Sequence, residues 1–406
     1  MKSKIIMAAT ILFLWSCEKS EETKVVTEPT QLKLTQQDVA LIENNNNFGL
    51  NFFREVSQST EGNLMISPLS ASVALSMLLN GTDNNTYRQM LTMLGYESMD
   101  DVNSSYKSLV KQLLEVDSKV SIALANALFY REGFEFYSSY SETLKDVYSC
   151  EVQGLDFNSS NALSLINGWA SDNTNGKISK VLDSIDPQIV MIIMNALYFK
   201  GDWTYKFDKE STTSDIFNFE NGGTTSVQMM RGLIPAASFS NESVSAIELP
   251  YGRTNYSMVI ALPATNTQDF ISMFNGNLWD EMVSNFNQQT EPSEVMVYLP
   301  KFKFEFEKNL NETLQDMGMV DAFNPMLADL SLISATKLYV DFIKQNTYID
   351  VNEEGSEAAA VTTIGNGITS VPDYSYFIVN KPFVFIIRER TSNTILFIGR
   401  VNNPEY

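Results

Sequence analysis

The spacing of apolar and polar positions predicts a helix early in the chain. Ser67-Pro68 precedes apolar residues at positions 69, 73, 75, 77 and 78, and Asn80-Gly81 follows them. A serine at the N-cap accepts a backbone hydrogen bond, proline fits the first turn, and glycine commonly follows the last turn. The pattern therefore predicts a helix that begins after Ser67 and ends near Gly81.

Strands are predicted in later parts of the chain. The apolar run Ile189–Phe199 is typical of a strand buried on both faces, and Lys301–Glu307 alternates as a half-buried strand does. Two further apolar runs, Phe383–Arg388 and Ile395–Val401, flank a polar stretch as the strands of a hairpin do. Because helices dominate the first third and strands the rest, the sequence predicts an α+β fold built around large sheets.

The first residues are typical of an export signal. Lys2 and Lys4 precede the apolar run Ile5–Trp15, which is too short to cross a bilayer. The run ends in Leu14-Trp15-Ser16-Cys17, which resembles the bacterial lipobox, although an ordinary signal peptide with a cysteine would look similar. We expect a lipoprotein signal peptide at 1–16, a flexible tether at 17–37 and one folded domain at 38–406. Acyl chains on Cys17 would anchor the protein in a membrane.

The expected location follows from this signal. A lipidated Cys17 places the protein in the cell envelope, as an outer-membrane lipoprotein that faces the periplasm or the cell surface. The acidic residues Glu18, Glu21 and Glu22 look like the export tag of surface lipoproteins in some Gram-negative bacteria.

The composition excludes several kinds of site. The 406 residues include no histidine and only two cysteines, Cys17 and Cys150, so catalytic units that need an imidazole and zinc sites built from histidines or several thiolates are out of reach. A formal net charge of −21 would repel nucleic acid. A hydrophobic share of 44% allows a large core. We therefore expect no cofactor, no metal and no nucleic-acid partner. Because lipidation of Cys17 would leave Cys150 as the remaining thiol, we also expect no intramolecular disulfide.

The segment Val351–Val371 carries the strongest functional signal. Its side chains between Gly355 and Thr363 are mostly small, and no lysine or arginine occurs in it. The segment is typical of an exposed loop that could also become a strand, because it has no proline to remove a ladder hydrogen bond. Strand alternation would put one uncharged set on a single face, with Glu357 on the other. That set is Ser356, Ala358, Ala360, Thr362 and Ile364.

The sequence resembles the serpin family. Glu353–Ala360 (EEGSEAAA) looks like the hinge of the reactive-centre loop in inhibitory members. Four other segments look like serpin signatures in the family's order: Asn63–Gly81, Asn195–Trp203, Leu299–Phe302 and Asn380–Val384. The resemblance covers about residues 38 to 404. It implies a single domain with three β-sheets, eight or nine helices and an exposed reactive-centre loop, and we expect a monomer.

The resemblance also implies a mechanism. In an inhibitory serpin the exposed loop is bait for an endopeptidase, which forms an acyl-enzyme and is then distorted as the cut loop inserts into the main sheet. The hinge that must insert first would comprise Glu353, Gly355, Ser356, Glu357, Ala358, Ala359 and Ala360. The implied product is a covalent acyl-enzyme complex with the target endopeptidase.

Counting along the loop as in the family places the cleaved bond between Thr369 and Ser370, with Ile368–Thr369 and Ser370–Val371 as alternatives. Every candidate residue before the cut is small or aliphatic, so trypsin-like proteases, whose pocket carries an acid, are poor candidates. Elastase-like or subtilisin-like serine proteases fit better. Papain-like cysteine proteases are a further candidate because of Ile368.

Other positions match family residues around the opening of the main sheet. Ser67 and Asn195 correspond to polar groups where the central strands part, and Gln345 stands where the family usually has a histidine. Glutamine can donate and accept hydrogen bonds but cannot titrate, so this opening should lack a histidine's pH sensitivity. Lys301 and Glu353 correspond to an ion pair at the top of the sheet, beside Trp203.

Two other readings stay open at this point. Ser104–Lys107, Ser108–Lys111 and Ser171-Asp172-Asn173 match two motifs of penicillin-recognising enzymes, but the third motif of those enzymes is missing downstream. The second reading is a non-inhibitory serpin that acts as a surface binding or adhesion protein. Such members commonly carry bulky or charged residues or proline in the hinge, where this chain has Ser356–Val361, so the hinge favours an inhibitor over an adhesin. We expect no enzyme, because the third motif is missing and both Ser-x-x-Lys pairs suit a solvated helix face.

Overall fold

The computed structural model describes residues 28–356 and 374–406, and these residues form nine α-helices and sixteen strands. The helices are α1 (Gln36–Gln58), α2 (Pro68–Leu79), α3 (Asn84–Leu94), α4 (Met99–Glu115), α5 (Ser138–Tyr148), α6 (Ser160–Asn173), α7 (Thr267–Met273), α8 (Gly276–Gln288) and α9 (Asn311–Asp316). Among the described residues, no helix is both long enough and apolar enough to cross a bilayer.

The strands follow the same numbering along the chain. They are β1 (Leu64–Ile66), β2 (Val120–Arg131), β3 (Glu151–Leu155), β4 (Met191–Asp202), β5 (Thr213–Asn218), β6 (Thr224–Pro235), β7 (Ala237–Ser240), β8 (Val244–Tyr251), β9 (Tyr256–Pro263), β10 (Glu294–Pro300), β11 (Phe302–Asn309), β12 (Lys344–Asn352), β13 (Gly355–Ser356), β14 (Ser375–Ile378), β15 (Phe383–Glu389) and β16 (Ile395–Val401).

The strands form three sheets. The main sheet has the order β11-β12-β13-β4-β2-β3, the central sheet β1-β16-β15-β9-β8-β7 and the small sheet β14-β10-β6-β5. The predicted α+β class with three sheets is confirmed, and the nine helices of the described residues fall within the expected number. The hairpin predicted near the end is also confirmed, because β15 pairs antiparallel with β16.

The main sheet is packed on both faces. Leu128 on β2 belongs to the large core that also contains the buried strands β9, β15 and β16. Its neighbours Ala127 and Phe129 belong to a second cluster with Ala162 and Ile166 of α6. Because successive strand residues point to opposite faces, the sheet lies between the large core and α6.

Helix α2 begins as predicted. The Ser67 side chain caps it by accepting a hydrogen bond from the Ser70 backbone N–H at 3.1 Å, and Pro68 occupies the first turn. The helix ends at Leu79, with Asn80 as the C-cap. This fixes the position of Ser67 and Ser70, which both lie at the buried N-terminus of α2.

Two expectations need correction. Most of the apolar run Ile189–Phe199 lies in strand β4, but several of its side chains are half-exposed rather than buried on both faces, because the residues at the start of β4 line a cavity. The segment 28–37, expected to be tether, is attached to the body: the Thr30 N–H donates to Asn255 Oδ1 at 2.9 Å, and the Lys33 N–H donates to Gln112 Oε1 at 2.7 Å. The body therefore begins before residue 38.

Candidate functional site

The main sheet is interrupted between β4 and β12. In the described part of the chain these strands do not pair with each other, and both instead pair antiparallel with β13. Ser356 lies opposite Val351 on one side and Gly201 on the other. The segment that follows Glu354 therefore turns back into its own sheet, and its first two residues form a strand between two longer ones.

Gly355 is required by the backbone at this turn. Its φ of +153° lies in the region that side chains rarely adopt, and a Cβ added here would lie 2.1 Å from the carbonyl oxygen of Gly201. A residue other than glycine could not pair as closely with β4. Only a glycine therefore permits the chain to turn into the sheet at this point.

Ser356 is hydrogen-bonded to a tyrosine that belongs to an aromatic stack. Ser356 is only 4% exposed, and its hydroxyl lies 2.6 Å from the hydroxyl of Tyr251. The Tyr251 ring stacks on Trp203 at a centroid distance of 4.4 Å, and burial raises the pKa of Tyr251 well above its ordinary value. Trp203 in turn donates its indole N–H to the Asn352 carbonyl oxygen at 2.9 Å. The stack thus holds both β12 and β13.

The ion pair expected at the top of the sheet is present. Lys301 Nζ lies 3.1 Å from Glu353 Oε2, and Thr212 donates its hydroxyl to the other carboxylate oxygen at 2.9 Å. Burial alone would raise the pKa of Glu353, but hydrogen bonds from its own backbone N–H, Thr212 and Lys301 outweigh this and hold the pKa below its ordinary value. Lys301 also lies 4.0 Å from the centroid of the Tyr406 ring.

Glu354, the next residue, forms ion pairs with two lysines. Its carboxylate lies 2.8 Å from Lys206 Nζ and 2.9 Å from Lys209 Nζ. Burial would raise the pKa of Glu354, but hydrogen bonds from both lysines hold it below its ordinary value. The two glutamates before Gly355 are therefore held as anions, and they fix the start of β13 to the top of the sheet.

Gln345 bridges β12 to the start of α2. Its Oε1 accepts a hydrogen bond from the Ser67 N–H at 3.1 Å, and its Nε2 donates to the Ser67 carbonyl oxygen at 2.9 Å. The Ser67 hydroxyl donates to the Leu396 carbonyl oxygen at 2.8 Å. The donor-and-acceptor role expected of glutamine is thus used in full on Ser67, and all of these atoms are buried.

Asn195 makes different contacts from those of Gln345. Its Oδ1 accepts a hydrogen bond from the Ser70 hydroxyl, and its Nδ2 donates to Asn126 Oδ1 at 2.6 Å. Asn126 Nδ2 then donates to the Tyr148 carbonyl oxygen at 2.8 Å. Sequence reasoning missed Ser70 and Asn126. Ser70 had a local signal, because it lies one helical turn after the N-cap, whereas Asn126 is brought in by the neighbouring strand.

A cavity of about 280 Å³ lies between the first residues of β4 and the first residues of β12, at the end of the gap away from β13. This end is called the lower end of the gap, and the end that holds β13 the upper end. It is lined by Ser70, Ala71, Ala74 and Leu75 of α2, by Met191–Ala196 of β4, by residues 336–346 before and within β12, and by Trp169 and Ala170 of α6. The cavity continues the line of β13 along the gap between the two strands. Its walls are mostly apolar, so it suits small uncharged side chains.

Several predicted residues lie outside the described chain. These are Cys17, the hinge residues Glu357, Ala358, Ala359 and Ala360, and the bond residues Ile368, Thr369, Ser370 and Val371. Of the predicted hinge, the described residues are Glu353, Gly355 and Ser356.

The two Ser-x-x-Lys pairs lie on the surface of helix α4. Ser104, Lys107, Ser108 and Lys111 are exposed on α4, as expected of a solvated helix face. Within residues 28–356 and 374–406, no group of three or more Cys, Asp or Glu side chains is placed to hold a metal ion. Cys150 is buried, and burial raises the pKa of its thiol to about 12.

Fold and site together define a class of protein whose main sheet admits the chain segment that follows one of its own strands. The family model described as Serpin (serine protease inhibitor) matches residues 43–404. The chain belongs to the serpin family, which is a family of protease inhibitors rather than of enzymes.

Curated relatives and solved structures agree with this assignment. The leukocyte elastase inhibitor of Xenopus laevis is 33% identical over 368 residues, which cover 88% of this chain and 97% of the relative. The native-state structure of the thermophilic serpin tengpin has a TM-score of 0.83 at 30% identity and covers 93% of this chain and 97% of its own. Human thyroxine-binding globulin shares the fold at 23% identity, with a TM-score of 0.82 and coverage of 91% and 100%.

Proposed function

We propose that this serpin is an irreversible, suicide-type inhibitor of endopeptidases that acts by cleavage and insertion of its reactive-centre loop. The observation that carries the proposal is the double pairing of Gly355 and Ser356 with β12 and β4. The loop follows directly after these residues, so its first part already occupies the upper end of the gap. Insertion would continue an existing strand and would not need to start a new one.

The chemical step is the ordinary acylation step of the protease. Its nucleophile attacks the carbonyl carbon of Thr369, an ester or thioester forms there, and the bond to Ser370 breaks so that the amine of Ser370 leaves with a proton. The cut frees the upstream part of the loop from β14. That part can then move into the gap and carry the bound protease with it.

Insertion is favourable because it supplies partners that the gap otherwise lacks. Each inserted residue would pair with β4 and β12 at once, and an intramolecular hydrogen bond contributes about 1 kcal/mol net. On an inserted strand the side chains on the same face as Ser356 would be Ala358, Ala360, Thr362 and Ile364, all of them uncharged. None of them would place a charge among the apolar walls of the cavity.

The loop composition selects the target class. Residues 354–380 contain no lysine or arginine, and the candidate bonds around Thr369 follow small or aliphatic residues. We therefore propose elastase-like or subtilisin-like serine proteases as targets, with papain-like cysteine proteases as a further class. The name of the Xenopus relative, an inhibitor of leukocyte elastase, supports the first of these.

Incubation with an elastase-type enzyme tests the proposal. We expect a complex of serpin and protease that resists SDS, and mass spectrometry of the released C-terminal peptide should place the cut after Thr369. A Thr369→Arg variant is the matched control, because it should transfer inhibition to a trypsin-type enzyme. Complete turnover, with free cleaved chain and active protease, would instead favour a non-inhibitory surface-binding role.

We also propose that Cys17 anchors the protein as a lipoprotein in the outer membrane of the cell envelope. The chain from Cys17 to Thr30 can span about 40 Å when extended, so the body could stand clear of the bilayer. Metabolic labelling with an alkyne fatty acid should tag the wild type and leave a Cys17→Ser variant untagged and in the soluble fraction. Equal labelling of both forms would contradict the anchor.

A further inference from the structure

The outward face of the small sheet carries an apolar surface next to the reactive-centre loop. Tyr376 is 61% exposed and Ile378 is 43% exposed on β14, although both lie on a regular strand. The register places Tyr376 opposite Met296, and Met296 opposite Leu233. We call this surface the outer patch, and it consists of Leu233, Met296, Tyr298, Tyr376 and Ile378 together with Arg231.

Side-chain contacts within and beside the outer patch link Arg231, Tyr298 and Tyr376 to one another. Arg231 donates to Asp215 Oδ2 at 2.9 Å, and its guanidinium carbon lies 5.1 Å from the centroid of the Tyr298 ring. The Tyr298 and Tyr376 rings are 6.5 Å apart between centroids. A partner would therefore meet a preformed surface and would lose little side-chain entropy on binding.

The fold itself does not require the outer patch. Phe377, between Tyr376 and Ile378, points inward and is buried, so β14 is already anchored to the core. Exposed apolar side chains on an edge strand favour association, and natural proteins usually place charges or proline there. Tyrosine, methionine and arginine are the residues enriched at protein–protein interfaces. The composition of the outer patch is thus typical of a binding surface.

The position of the outer patch indicates which partner would cover it. Ser375, the first residue of β14, lies five positions after Ser370, so the proposed cleaved bond is within about 17 Å of β14. An endopeptidase domain of roughly 220 residues is about 40 Å across. A protease seated on that bond would extend over the small sheet on its C-terminal side.

We infer that the outer patch docks the target endopeptidase through an apolar surface beside the protease's catalytic cleft, before and during acylation. The inference rests on the proposed inhibitory function, because the loop brings the protease to this place. The outer patch would act on the encounter and not on insertion, since none of its residues belongs to the gap between β4 and β12.

The test compares the wild type with a Tyr376→Ser/Ile378→Ser variant. A protease whose catalytic serine is replaced by alanine should bind the variant about tenfold more weakly, because loss of buried anchors commonly costs that much. With active protease, the second-order rate constant of inhibition should fall by a similar factor. The number of serpin molecules consumed per trapped protease should stay unchanged.

A Met326→Ser/Leu327→Ser variant is the matched control. These side chains are 83% and 55% exposed and lie in the segment between α9 and β12. The length of β12, about 27 Å, separates the end of that segment from the hinge. This control should bind the inactive protease as the wild type does. Equal binding by the wild type and the Tyr376→Ser/Ile378→Ser variant would overturn the docking inference.

Two further outcomes separate this inference from its alternatives. If the wild type forms no covalent complex, the proposed inhibition fails, while binding of the inactive protease still decides the role of the outer patch. If sedimentation shows a dimer that Tyr376→Ser/Ile378→Ser dissociates, the surface joins two copies of this chain and the docking inference is overturned.

Discussion

The two ends of the gap in the main sheet are closed in opposite ways. At the upper end, β13 pairs with both neighbouring strands, and Trp203, Tyr251 and the Lys301–Glu353 pair surround it. At the lower end, Gln345 of β12 and Asn195 of β4 bond separately to the first turn of α2. The first turn of α2 thus supplies polar partners to both β12 and β4 at the end of the gap that β13 does not fill.

The main sheet is therefore fully paired at one end of the gap and unpaired at the other. The upper end is stabilised by contacts that already resemble those of a complete sheet. The lower end is stabilised by a few polar contacts and encloses a cavity of about 280 Å³. Insertion would therefore begin at a formed end and proceed toward an unformed one.

The largest expected effect comes from a charge at the formed end. Ser356→Arg would force a guanidinium beside Tyr251 in a site that is 4% exposed, and a buried unpaired charge is expensive. We expect most of the protease to escape, with roughly ten or more serpin molecules consumed per trapped protease. Gel analysis of complexed and cleaved chain measures this ratio.

Ser356→Ala is the control for that substitution. It removes only the hydrogen bond to the Tyr251 hydroxyl, which is worth about 1 kcal/mol, so the ratio should stay within about twofold of the wild type. Ala358→Arg, on the same predicted face, should behave as Ser356→Arg does. Retained trapping in both arginine variants would be incompatible with insertion.

A smaller effect is expected at the open end. Gln345→Ala leaves the N–H and the carbonyl oxygen of Ser67 without their side-chain partner, which costs about 2 kcal/mol of unfolding free energy. Urea denaturation measures the loss. Asn346→Ala is the matched control, because this adjacent residue is half-exposed and its side-chain amide donates to the exposed Glu307 carboxylate at 2.9 Å. Equal losses in the two variants would remove the special role of Gln345.

The two hinge glutamates predict a pH dependence at acid pH. Their pKa values are lowered in the fold, so the stability they contribute is fully present above their unfolded pKa of about 4.3 and is lost as the pH falls from there through their lower folded pKa values. The melting temperature should fall as the pH is lowered from about 5 toward 3. It should fall less in a Glu353→Gln/Glu354→Gln variant, whereas Glu305→Gln, at an exposed position on β11, should follow the wild type.

The smallest effect is expected from the exposed cation at the top of the sheet. Lys209 is half-exposed, and its ion pair with Glu354 is screened by solvent. Lys209→Ala should lower the unfolding free energy by less than about 1 kcal/mol. A larger loss would mean that this lysine, and not the pairing of β13, holds the hinge in place.

The parts that could be predicted from the sequence rest on local signals. The Ser67-Pro68 start of α2, the alternation in β11 and the β15–β16 hairpin depend on residues within a few positions of each other. The hinge was found through its resemblance to a family segment. These signals placed both walls of the gap but did not show that β13 already lies between them.

The parts that could not be predicted depend on distant elements. Tyr251, which supports Ser356, belongs to β8 in another sheet, and no spacing connects the two residues. Asn195 pairs with Ser70 because α2 crosses β4. Asn45 accepts a hydrogen bond from the Tyr96 hydroxyl at 2.6 Å, and no local pattern around Asn45 predicts that partner.

Thermal melting of the intact and the loop-nicked protein shows whether the cut loop inserts into the gap between β4 and β12. A limited cut by a protease that is then removed leaves the chain free to fill its own gap. We expect the nicked protein to melt roughly 10 °C or more above the intact one, because the new strand gains two sets of backbone partners. An equal or lower melting temperature after nicking would contradict insertion.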